Sequence, residues 1–425
     1  MVFGKNKEEN LIFTSLSPNT EKEDIKLAKN LILRPSSWKW GENVVKLEDD
    51  FRKYLNVNYS FSFNSGRSSL IAILDALDVR EGDEILVQGF TCSSVVVPII
   101  KLGAVPVFVD IDKTLNLDPE DLKRKITTNS KVVIVQHTFG YPAQIDKILE
   151  IVGDNKLFLI EDCAHSLGSK YKGRFCGTFG DAAFFSFGRD KIISSVFGGM
   201  AVTNKLSIAE EIKRFQEGLP LPSTFWIIQQ LLHPLFANKI VLPLYYYSGL
   251  GRLFLVFLQK IKILSKAVHK KEKRGILPSY FPKRLPNALA VLALKQLKKI
   301  NRLNSHRKKI VAIYEKGLDC FEMPLVKRGK KREVVFLRYP ILVSDSDYLL
   351  RLARKEKIFL NDGWRKSPIV PPDTKIEKLG YKLGSCKRAE DIAEKVLNLP
   401  THINISSKEA KRLVSFFKEY GDKRD

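Results

Sequence analysis

The stretch "FFSFGRDKIISSVFGGM" (184–200) contains one lysine, Lys191, which lies five residues after Ser186. A lysine at the ligand-binding edge of a sheet can be desolvated, and because burial lowers its pKa, its amine can then act as a nucleophile. In a chain with 71 Lys and Arg residues, a single lysine is more often a surface cation. What Lys191 does therefore depends on the residues that accompany it.

A carboxyl group and an imidazole follow an apolar run in "LFLIEDCAHSLG" (157–168). Asp162 stands where a buried strand would end, at the edge where open α/β sheets bind ligands. A carboxylate there can hold a proton on a heterocyclic nitrogen. The alternative is structural, with Asp162 as a cap and His165 as a hydrogen-bonded core residue.

A turn that leads directly into a helix, "FNSGRSSL" (63–70), is the third feature. Gly66 allows close backbone approach, and the free N–H groups of a first helical turn can bind an anion. Asn-Ser-Gly before a helix is also an ordinary N-cap, so this turn by itself predicts little.

One cofactor needs all three features. Pyridoxal phosphate requires a lysine for covalent attachment, an acidic partner for its pyridine nitrogen and a phosphate site. Lys191, Asp162 and the turn at Gly66 supply these in one stretch of chain.

The order and spacing of these residues resemble the DegT/StrS-type sugar aminotransferases, which are fold-type I enzymes that use pyridoxal phosphate. The resemblance spans roughly residues 30–204 and 275–405, and it includes "FGGMAVTN" (197–204) and "CKRAEDIAEKVLNLPTH" (386–402). It implies a large domain with a mainly parallel sheet flanked by helices, and a smaller C-terminal α+β domain.

The resemblance also implies catalytic roles. Lys191 corresponds to the lysine that binds the cofactor and later carries a proton to the substrate carbon. Asp162 corresponds to the carboxylate that keeps the ring nitrogen protonated. His165 corresponds to a Gln or His beside the phenolic oxygen of the cofactor. No metal ion is expected.

The phosphate ligands that the resemblance implies are Ser186 and the backbone amides of Gly66 and Arg67. Arg67 stands where the family usually has a small hydroxyl residue. Its guanidinium either pairs with the phosphate or points elsewhere.

Other departures from the family pattern surround the site. The aromatic residue that stacks on the cofactor falls near Cys92, which leaves Phe90, or no residue, for that contact. "SFGRDK" (186–191) replaces the frequent "SFHPTK", which alters the sugar side of the pocket. Pro282 aligns roughly with an asparagine that the partner subunit contributes in the family.

A layered α/β domain is needed to bring these residues together. Short runs rich in Val, Ile and Phe alternate with helical segments from about Phe61 to Asn204. Apolar residues in succession are typical of strands covered on both faces of a mainly parallel sheet. We predict strands at 83–89, 105–111, 131–140, 156–165, 182–188 and 199–204, and helices at 67–78, 93–102 and 118–126.

The segment at 218–267 is apolar and aromatic, and prolines and glycines interrupt it. A spanning helix needs about 20 mostly apolar residues, and these breaks disfavour one. We predict a helical hairpin whose apolar face is covered by the domain or by a partner subunit. A peripheral membrane contact, helped by the basic stretch 260–275, is the alternative.

Three parts are expected along the chain. They are a large cofactor-binding α/β domain at 1–217, an apolar helical insertion at 218–270, and a C-terminal domain at 271–425 that begins with a long amphipathic helix over 285–318.

The net charge of +24 favours polyanionic partners, but it fits solvated helix faces equally well. The sequence has no recognisable nucleic-acid motif, and we expect no nucleic-acid partner. Five scattered cysteines, including Cys320, indicate neither zinc nor disulfides and fit a cytoplasmic protein. The first residues have no long apolar core, so we expect no signal peptide.

The sequence therefore predicts a homodimeric aminotransferase that moves an amino group from L-glutamate to a keto-sugar, most readily a nucleotide-linked one. An aminotransferase acting on a non-sugar ketone stays open. A sugar dehydratase is disfavoured because relatives of that type replace the lysine with histidine. A non-catalytic or membrane-associated member that docks through 218–267 is the remaining alternative.

Overall fold

The computed structural model describes residues 10–245, 250–319, 321 and 331–420. Cys320 and residues 1–9, on which the expectation about a signal peptide partly rests, lie outside this range. The strands are β1 Ile12–Phe13, β2 Tyr59–Phe63, β3 Glu84–Gln88, β4 Thr91–Cys92, β5 Val105–Val109, β6 Ser130–Gln136, β7 Phe158–Asp162, β8 Lys170–Tyr171, β9 Arg174–Phe175, β10 Ala182–Ser186, β11 Gly199–Thr203, β12 Arg332–Glu333, β13 Arg338–Leu342, β14 Ile358–Phe359, β15 Ile369–Val370 and β16 Val396–Pro400.

Helices follow most of these strands. They are α1 Lys22–Ile32, α2 Asn43–Leu55, α3 Gly66–Ala76, α4 Ser93–Lys101, α5 Pro119–Lys125, α6 Ile145–Asp154, α7 Leu206–Gly218, α8 Thr224–Phe236, α9 Leu242–Leu244, α10 Leu250–Lys260, α11 Asn287–Leu297, α12 Ile300–Gly317, α13 Ser346–Lys355, α14 Lys387–Lys395 and α15 Ser407–Tyr420.

A seven-stranded sheet in the order β2-β11-β10-β7-β6-β3-β5 forms the centre of the molecule. Strands β5, β3, β6, β7 and β10 are parallel, and β11 runs antiparallel to both β10 and β2. All six predicted strands are present, within a few residues of their expected ends. The prediction of a mainly parallel α/β sheet is confirmed.

Both faces of the sheet are buried, as the succession of apolar residues predicted. On β10, Phe184 packs in the core that contains α3, α4 and α7. Its neighbour Phe185 packs on the opposite face with α2, α8 and α11. Adjacent residues of a strand point to opposite faces, so a strand between two cores must be apolar throughout.

A smaller core lies toward the C-terminus. Strands β13 and β16 pair antiparallel, and α12, α13 and α15 cover them. Strand β1 pairs with β14, so the beginning of the described chain joins this C-terminal unit. The domain boundaries at 217/218 and 270/271 stay a prediction.

The long helix expected at 285–318 is two helices, α11 and α12, that are separated at Lys298 and Lys299. Lys299 binds Glu21, Glu23 and Asp24, and these ion pairs with the N-terminal region hold the chain at the break. The hydrophobic pattern could not locate this break because apolar residues continue at helical spacing through it.

The apolar insertion is helical on both sides of residues 246–249. Helix α8 continues through a π-helical stretch, Ala237–Val241, into α9, and α10 follows. Trp226, Ile227 and Leu231 of α8 are buried in the same core as α2 and α11. Among the described residues, no helix is both long and apolar enough to cross a membrane.

Candidate active site

The carboxyl ends of β7 and β10 and the start of α3 meet at one edge of the sheet. Asp162 is the last residue of β7 and Ser186 the last of β10. Gly199, the first residue of β11, pairs with Ser186 on one side and with Phe63, just before the turn into α3, on the other. The sheet thus brings together groups that are more than a hundred residues apart in sequence.

The start of α3 lies tightly against this edge. Ser65 caps the helix by accepting a hydrogen bond from the Ser68 N–H at 3.1 Å. A Cβ atom on Gly66 would lie 3.2 Å from the Ser186 Cβ, and one on Gly199 would lie 2.4 Å from the Ser65 carbonyl carbon. These glycines let the first helical turn, whose N–H groups have no acceptor within the helix, approach Ser186.

The carboxyl group of Asp162 is buried at the base of the site. Its Oδ1 accepts a hydrogen bond from the Ala164 N–H at 2.9 Å. Burial raises the pKa of Asp162 to about 6, while the Ala164 hydrogen bond and the positive charge of Lys191 act in the opposite direction. A cationic N–H donor placed beside this carboxyl would favour its ionised form.

His165 is buried beside Asp162. The Phe139 N–H donates to His165 Nδ1 at 3.3 Å, so the proton of the neutral ring lies on Nε2. Burial, together with the charges of Lys191 and Arg338, holds the pKa of His165 well below its usual value. His165 therefore offers a neutral N–H donor.

Lys191 is half-buried on the loop between β10 and β11. Its N–H donates to the Gly188 carbonyl at 3.1 Å, and its own carbonyl accepts a hydrogen bond from the Asn19 side chain. Lys191 lines the same cavity as Asp162 and His165.

These groups line a single cavity of about 170 Å³. The structure brings together all six residues predicted for the site: Gly66, Arg67, Asp162, His165, Ser186 and Lys191. Their individual roles stay predictions, but their convergence is what the cofactor hypothesis requires.

The guanidinium of Arg67 is held by three groups of the same chain. It pairs with the buried carboxylate of Glu272 and donates to the Ser94 hydroxyl at 2.9 Å and to the Ala267 carbonyl at 2.8 Å. These contacts favour the second of the two orientations left open by the sequence, and the role of Arg67 toward a phosphate stays a prediction.

A segment of the same chain, residues 264–272, forms part of the cavity wall, and we call it the strap. Ala267 and Val268 of the strap line the cavity. Arg189 binds the strap through the Ser265 carbonyl at 2.8 Å and the Ser265 hydroxyl at 2.9 Å. Burial lowers the pKa of Arg189 to about 10. Arg67 and Arg189, two departures from the family pattern, thus both hold the strap.

Sequence reasoning did not find an aromatic cluster at the other side of the cavity. Trp364 lines the cavity and meets the His165 ring edge-on, with 4.7 Å between centroids. Phe90, considered for stacking on the cofactor, is fully buried and packs against Trp364 at 5.6 Å instead. Cys92 does line the cavity. The tryptophan in "NDGWR" (361–365) was the only signal for this contact.

A buried arginine connects the Lys191 loop to the C-terminal unit, and it was also missed. Arg338 pairs with Asp190, next to Lys191, and with Asp362 at 3.0 Å. Burial alone would raise the pKa of Asp190, but the charges of Lys191 and Arg338 hold it below its usual value. Arg338 thus links two carboxylates that line the cavity, Asp190 on the Lys191 loop and Asp362 in the C-terminal unit.

Pro282 lies near the turn that precedes α3. The neighbouring Tyr280 carbonyl accepts a hydrogen bond from the Asn64 side chain at 2.7 Å, and the Lys283 N–H donates to the same side chain at 3.2 Å. This stretch therefore contacts the turn at Asn64 of its own chain, for which phosphate binding is predicted.

One buried trio in the described residues, His137, Glu161 and Cys163, is compact enough to be examined as a metal site. The Ala143 N–H donates to His137 Nδ1 at 3.1 Å, and His137 Nε2 lies 3.0 Å from Glu161. Glu161 also accepts three backbone N–H groups, from Gly177, Phe179 and Gly180. These partners already occupy both ring nitrogens and the carboxylate, so the trio is a structural hydrogen-bond network behind Asp162.

Comparison with known proteins gives a consistent result. The model of the family described as the DegT/DnrJ/EryC1/StrS aminotransferase family matches residues 19–219 and 259–418. The unmatched residues between them contain α8, α9 and most of α10.

Individual proteins resemble the chain over nearly its whole length. GDP-perosamine synthase from Escherichia coli O157:H7 is 28% identical over 390 residues, which cover 90% of this chain and 92% of that protein. The PLP form of the putative sugar aminotransferase Spr1654 from Streptococcus pneumoniae has a TM-score of 0.74, with 23% identity and coverage of 97% and 98%. PseC from Helicobacter pylori, an aminotransferase involved in pseudoaminic acid biosynthesis, has a TM-score of 0.73, with 20% identity and coverage of 97% and 99%.

Proposed function

The chain belongs to the DegT/DnrJ/EryC1/StrS aminotransferase family, and from this premise we propose its reaction and the residues that carry it. It is a pyridoxal-phosphate-dependent aminotransferase that acts on keto-sugars in glycan biosynthesis. The acceptor is a nucleotide-linked keto-sugar, and L-glutamate is the amino donor. The name of the GDP-perosamine synthase relative supports a nucleotide-linked acceptor.

The residues at the sheet edge fit this cofactor. The close approach of Gly66 to Ser186 leaves a cradle of backbone N–H groups and a hydroxyl suited to the phosphate. Asp162, at the base of the cavity, is placed to hold the ring nitrogen, and the Lys191 amine to attach the cofactor.

When bound, pyridoxal phosphate supplies an electron sink that stabilises negative charge at the substrate carbon. Lys191 Nζ would carry a proton between that carbon and the cofactor carbon on the other side of the transferred nitrogen. Asp162, once ionised, keeps the ring nitrogen protonated. His165 Nε2 donates a hydrogen bond to the phenolic oxygen, and its low pKa keeps this group neutral.

The convergence of Lys191, Asp162 and the first turn of α3 on one cavity is the observation that carries the proposal. Purified protein reconstituted with pyridoxal phosphate should show the visible absorption band of the bound cofactor. Lys191→Ala should abolish that band and lower amination by about 10²- to 10⁴-fold or more. Lys213→Ala, on the exposed face of α7, is the matched control and should change neither. A protein that ignores added pyridoxal phosphate would contradict the proposal.

The acceptor is tested by offering glutamate with nucleotide-linked keto-sugars and, in parallel, with cyclic non-sugar ketones. Amination of the sugars alone supports the proposal. Amination of the cyclic ketones alone would favour the second acceptor class that the sequence left open. No amination by cofactor-loaded protein would favour a non-catalytic role.

We also propose that the enzyme is a cytoplasmic homodimer and that residues 218–267 touch a membrane surface. The dimer is supported by the family resemblance, in which the partner subunit contributes an asparagine at the position that aligns roughly with Pro282. Exposed apolar residues support the membrane contact, because seven of the fifteen large apolar side chains that are most exposed in the described structure lie within 218–267, and four of these seven are on α10. Sedimentation with and without liposomes tests this contact.

A further inference from the structure

The outer face of α10 is apolar, which is unusual for a surface helix. Leu250, Leu253 and Phe257, spaced at i, i+3 and i+7, are between 50% and 67% exposed. Gly251 and Leu258 on the opposite side are buried. The helix therefore presents an apolar stripe away from the protein, where charged side chains are ordinarily found.

A basic groove adjoins this stripe at the C-terminal end of α10. It has a volume of about 1000 Å³, and Val256 and Lys260 of α10 form part of its wall. The lysines that line it are Lys39, Lys260, Lys262, Lys266, Lys270 and Lys283. Its lining contains no Asp or Glu.

These lysines have no acidic counterpart. Across the part of the chain that the structure describes, none of the six forms an ion pair with a carboxylate. The sequence agrees, because Asp and Glu are absent from residues 218–271 while seven Lys and Arg residues are present. The six positive charges around this groove repel each other. A polyanion bound in the groove would relieve that repulsion.

Aromatic side chains accompany the lysines. Phe225, 59% exposed, and Trp226 line the same groove at the start of α8. Lysine and aromatic residues next to an apolar helix face are typical of protein segments that lie in the headgroup region of a bilayer. A nucleic acid would match the charge but would leave the apolar stripe in water.

We propose that the insertion is a docking surface for an anionic membrane, in which the lysine groove binds headgroup phosphates and the α10 stripe enters the boundary of the acyl chains. This inference rests on the membrane contact proposed above, and it adds that the lipids bound there are anionic. The catalytic cavity lies on the other side of the strap, since Ser265 of the strap lines the groove while Ala267 lines the cavity. The catalytic cavity would thus lie close to the bilayer surface, with only the strap between them.

The first experiment compares binding of the cofactor-loaded enzyme to vesicles of phosphatidylcholine with binding to vesicles that also contain phosphatidylglycerol. We expect binding only to the anionic vesicles. Higher salt should weaken binding, because exposed charges are screened beyond about 8 Å at physiological ionic strength. Equal binding to neutral vesicles would overturn the headgroup assignment but would keep a membrane contact. No binding to either would overturn both.

Variants separate the two parts of the surface. Lys39→Gln, Lys260→Gln and Lys262→Gln combined should weaken binding to anionic vesicles roughly 100-fold, since each basic residue near such a surface contributes on the order of 1 kcal/mol. The matched control is Lys408→Gln, Lys411→Gln and Lys418→Gln on α15, which removes the same charge from another exposed helix. A control that weakens binding as much would show general charge attraction and overturn the groove.

Two further outcomes would contradict the proposal. Loss of amination of a nucleotide-linked keto-sugar in the groove variant, with vesicle binding unchanged, would make the groove a substrate site.

Leu253→Ser with Phe257→Ser should weaken vesicle binding and leave the enzyme's oligomeric state unchanged. A variant that becomes monomeric would show that the stripe is covered by a second copy of the chain. The visible band of the bound cofactor, measured on the same samples, reports the proposed enzymatic function independently.

Discussion

The protonation of Asp162 depends on what lies beside it. In the cofactor-free protein the carboxyl is buried with one backbone donor, and its pKa is raised to about 6. A protonated ring nitrogen next to it would reverse this, because an adjacent positive charge favours the ionised carboxyl. The same residue is thus unfavourable for folding at neutral pH and favourable for holding the cofactor.

This gives a pH dependence with a definite sign. The folded cofactor-free protein binds the Asp162 proton more tightly than the unfolded chain, whose carboxyl has a pKa near 3.8. Its free energy of unfolding should therefore fall as pH rises from about 4 to about 6 and stay level above, by about 3 kcal/mol in total. Urea unfolding of wild type and Asp162→Asn at about pH 5 and about pH 7 measures this. The decrease should be smaller in the variant, which keeps only the contributions of other groups such as Glu48, whose pKa burial also raises, and identical decreases would contradict the prediction.

Gly199 shows how closely the site is packed. A Cβ atom there would lie 2.4 Å from the Ser65 carbonyl carbon and 2.5 Å from the Gly66 nitrogen, both of which are backbone atoms. Gly199→Ala should displace the start of α3 and lower the free energy of unfolding by about 1–3 kcal/mol, and it should also weaken binding of pyridoxal phosphate.

Gly218→Ala is the matched control for this change, because no atom lies within 4 Å of an added Cβ at the end of α7. It should leave cofactor affinity unchanged and stability the same or slightly higher. Equal affinity in both variants would show that α3 tolerates a shift and does not form the phosphate cradle.

At the scale of elements, the strap explains why two arginines replace smaller residues of the family pattern. Arg67 and Arg189 each make several contacts to residues 264–272. Because only three residues separate the strap from the end of α10, the insertion and the catalytic cavity are mechanically connected. A structural change in the insertion is therefore expected to displace the strap residues that line the active-site cavity.

Glu272→Gln tests this connection. It keeps the shape of the side chain but leaves the Arg67 guanidinium, which is 10% exposed, without its counter-charge. Breaking a buried pair costs about 3–5 kcal/mol, which should open the strap locally before the protein unfolds. Trypsin should cleave after Lys266, Lys270 or Lys271 several-fold faster, and the KM for the keto-sugar should change more than kcat.

The control for the strap is Glu217→Gln, at an exposed position near the end of α7. Its cleavage and kinetics should match the wild type. If Glu272→Gln also matches the wild type in both measurements, the strap is held by the remaining contacts of Arg189, and Arg67 has no positioning role.

At the scale of the whole molecule, the sheet and the C-terminal unit enclose the site between them. Arg338 of β13 reaches both Asp190 and Asp362, so the Lys191 loop depends on the C-terminal unit for its position. The insertion lies on one side of the molecule and carries the basic groove and the apolar stripe.

The whole-molecule prediction concerns assembly. In solution, without vesicles, the enzyme should sediment as a dimer with twice the 48.4 kDa mass of the chain. Sedimentation velocity over a range of protein concentrations measures this. A monomer that is fully active would contradict the dimer proposal and would show that the strap completes the site within one chain.

The sequence by itself determined the sheet and the chemical groups at its edge. Strands between two buried cores need apolar residues in succession, so β3, β6, β7 and β10 were visible from their composition. Because parallel strands place their carboxyl ends at one edge, Asp162, Ser186 and Lys191 could be assigned to one site before any contact was known.

Only the tertiary structure decided what surrounds those groups. Arg67 meets Glu272 across 205 positions of chain, and Trp364 reaches His165 across 199, and no local periodicity encodes such pairs. The outward face of α10 is apolar like its inward face, so the sequence could not tell which residues were covered. Local patterns follow from backbone geometry, whereas these contacts depend on how separate elements pack, which is why the strap and the exposed stripe became visible only in the folded molecule.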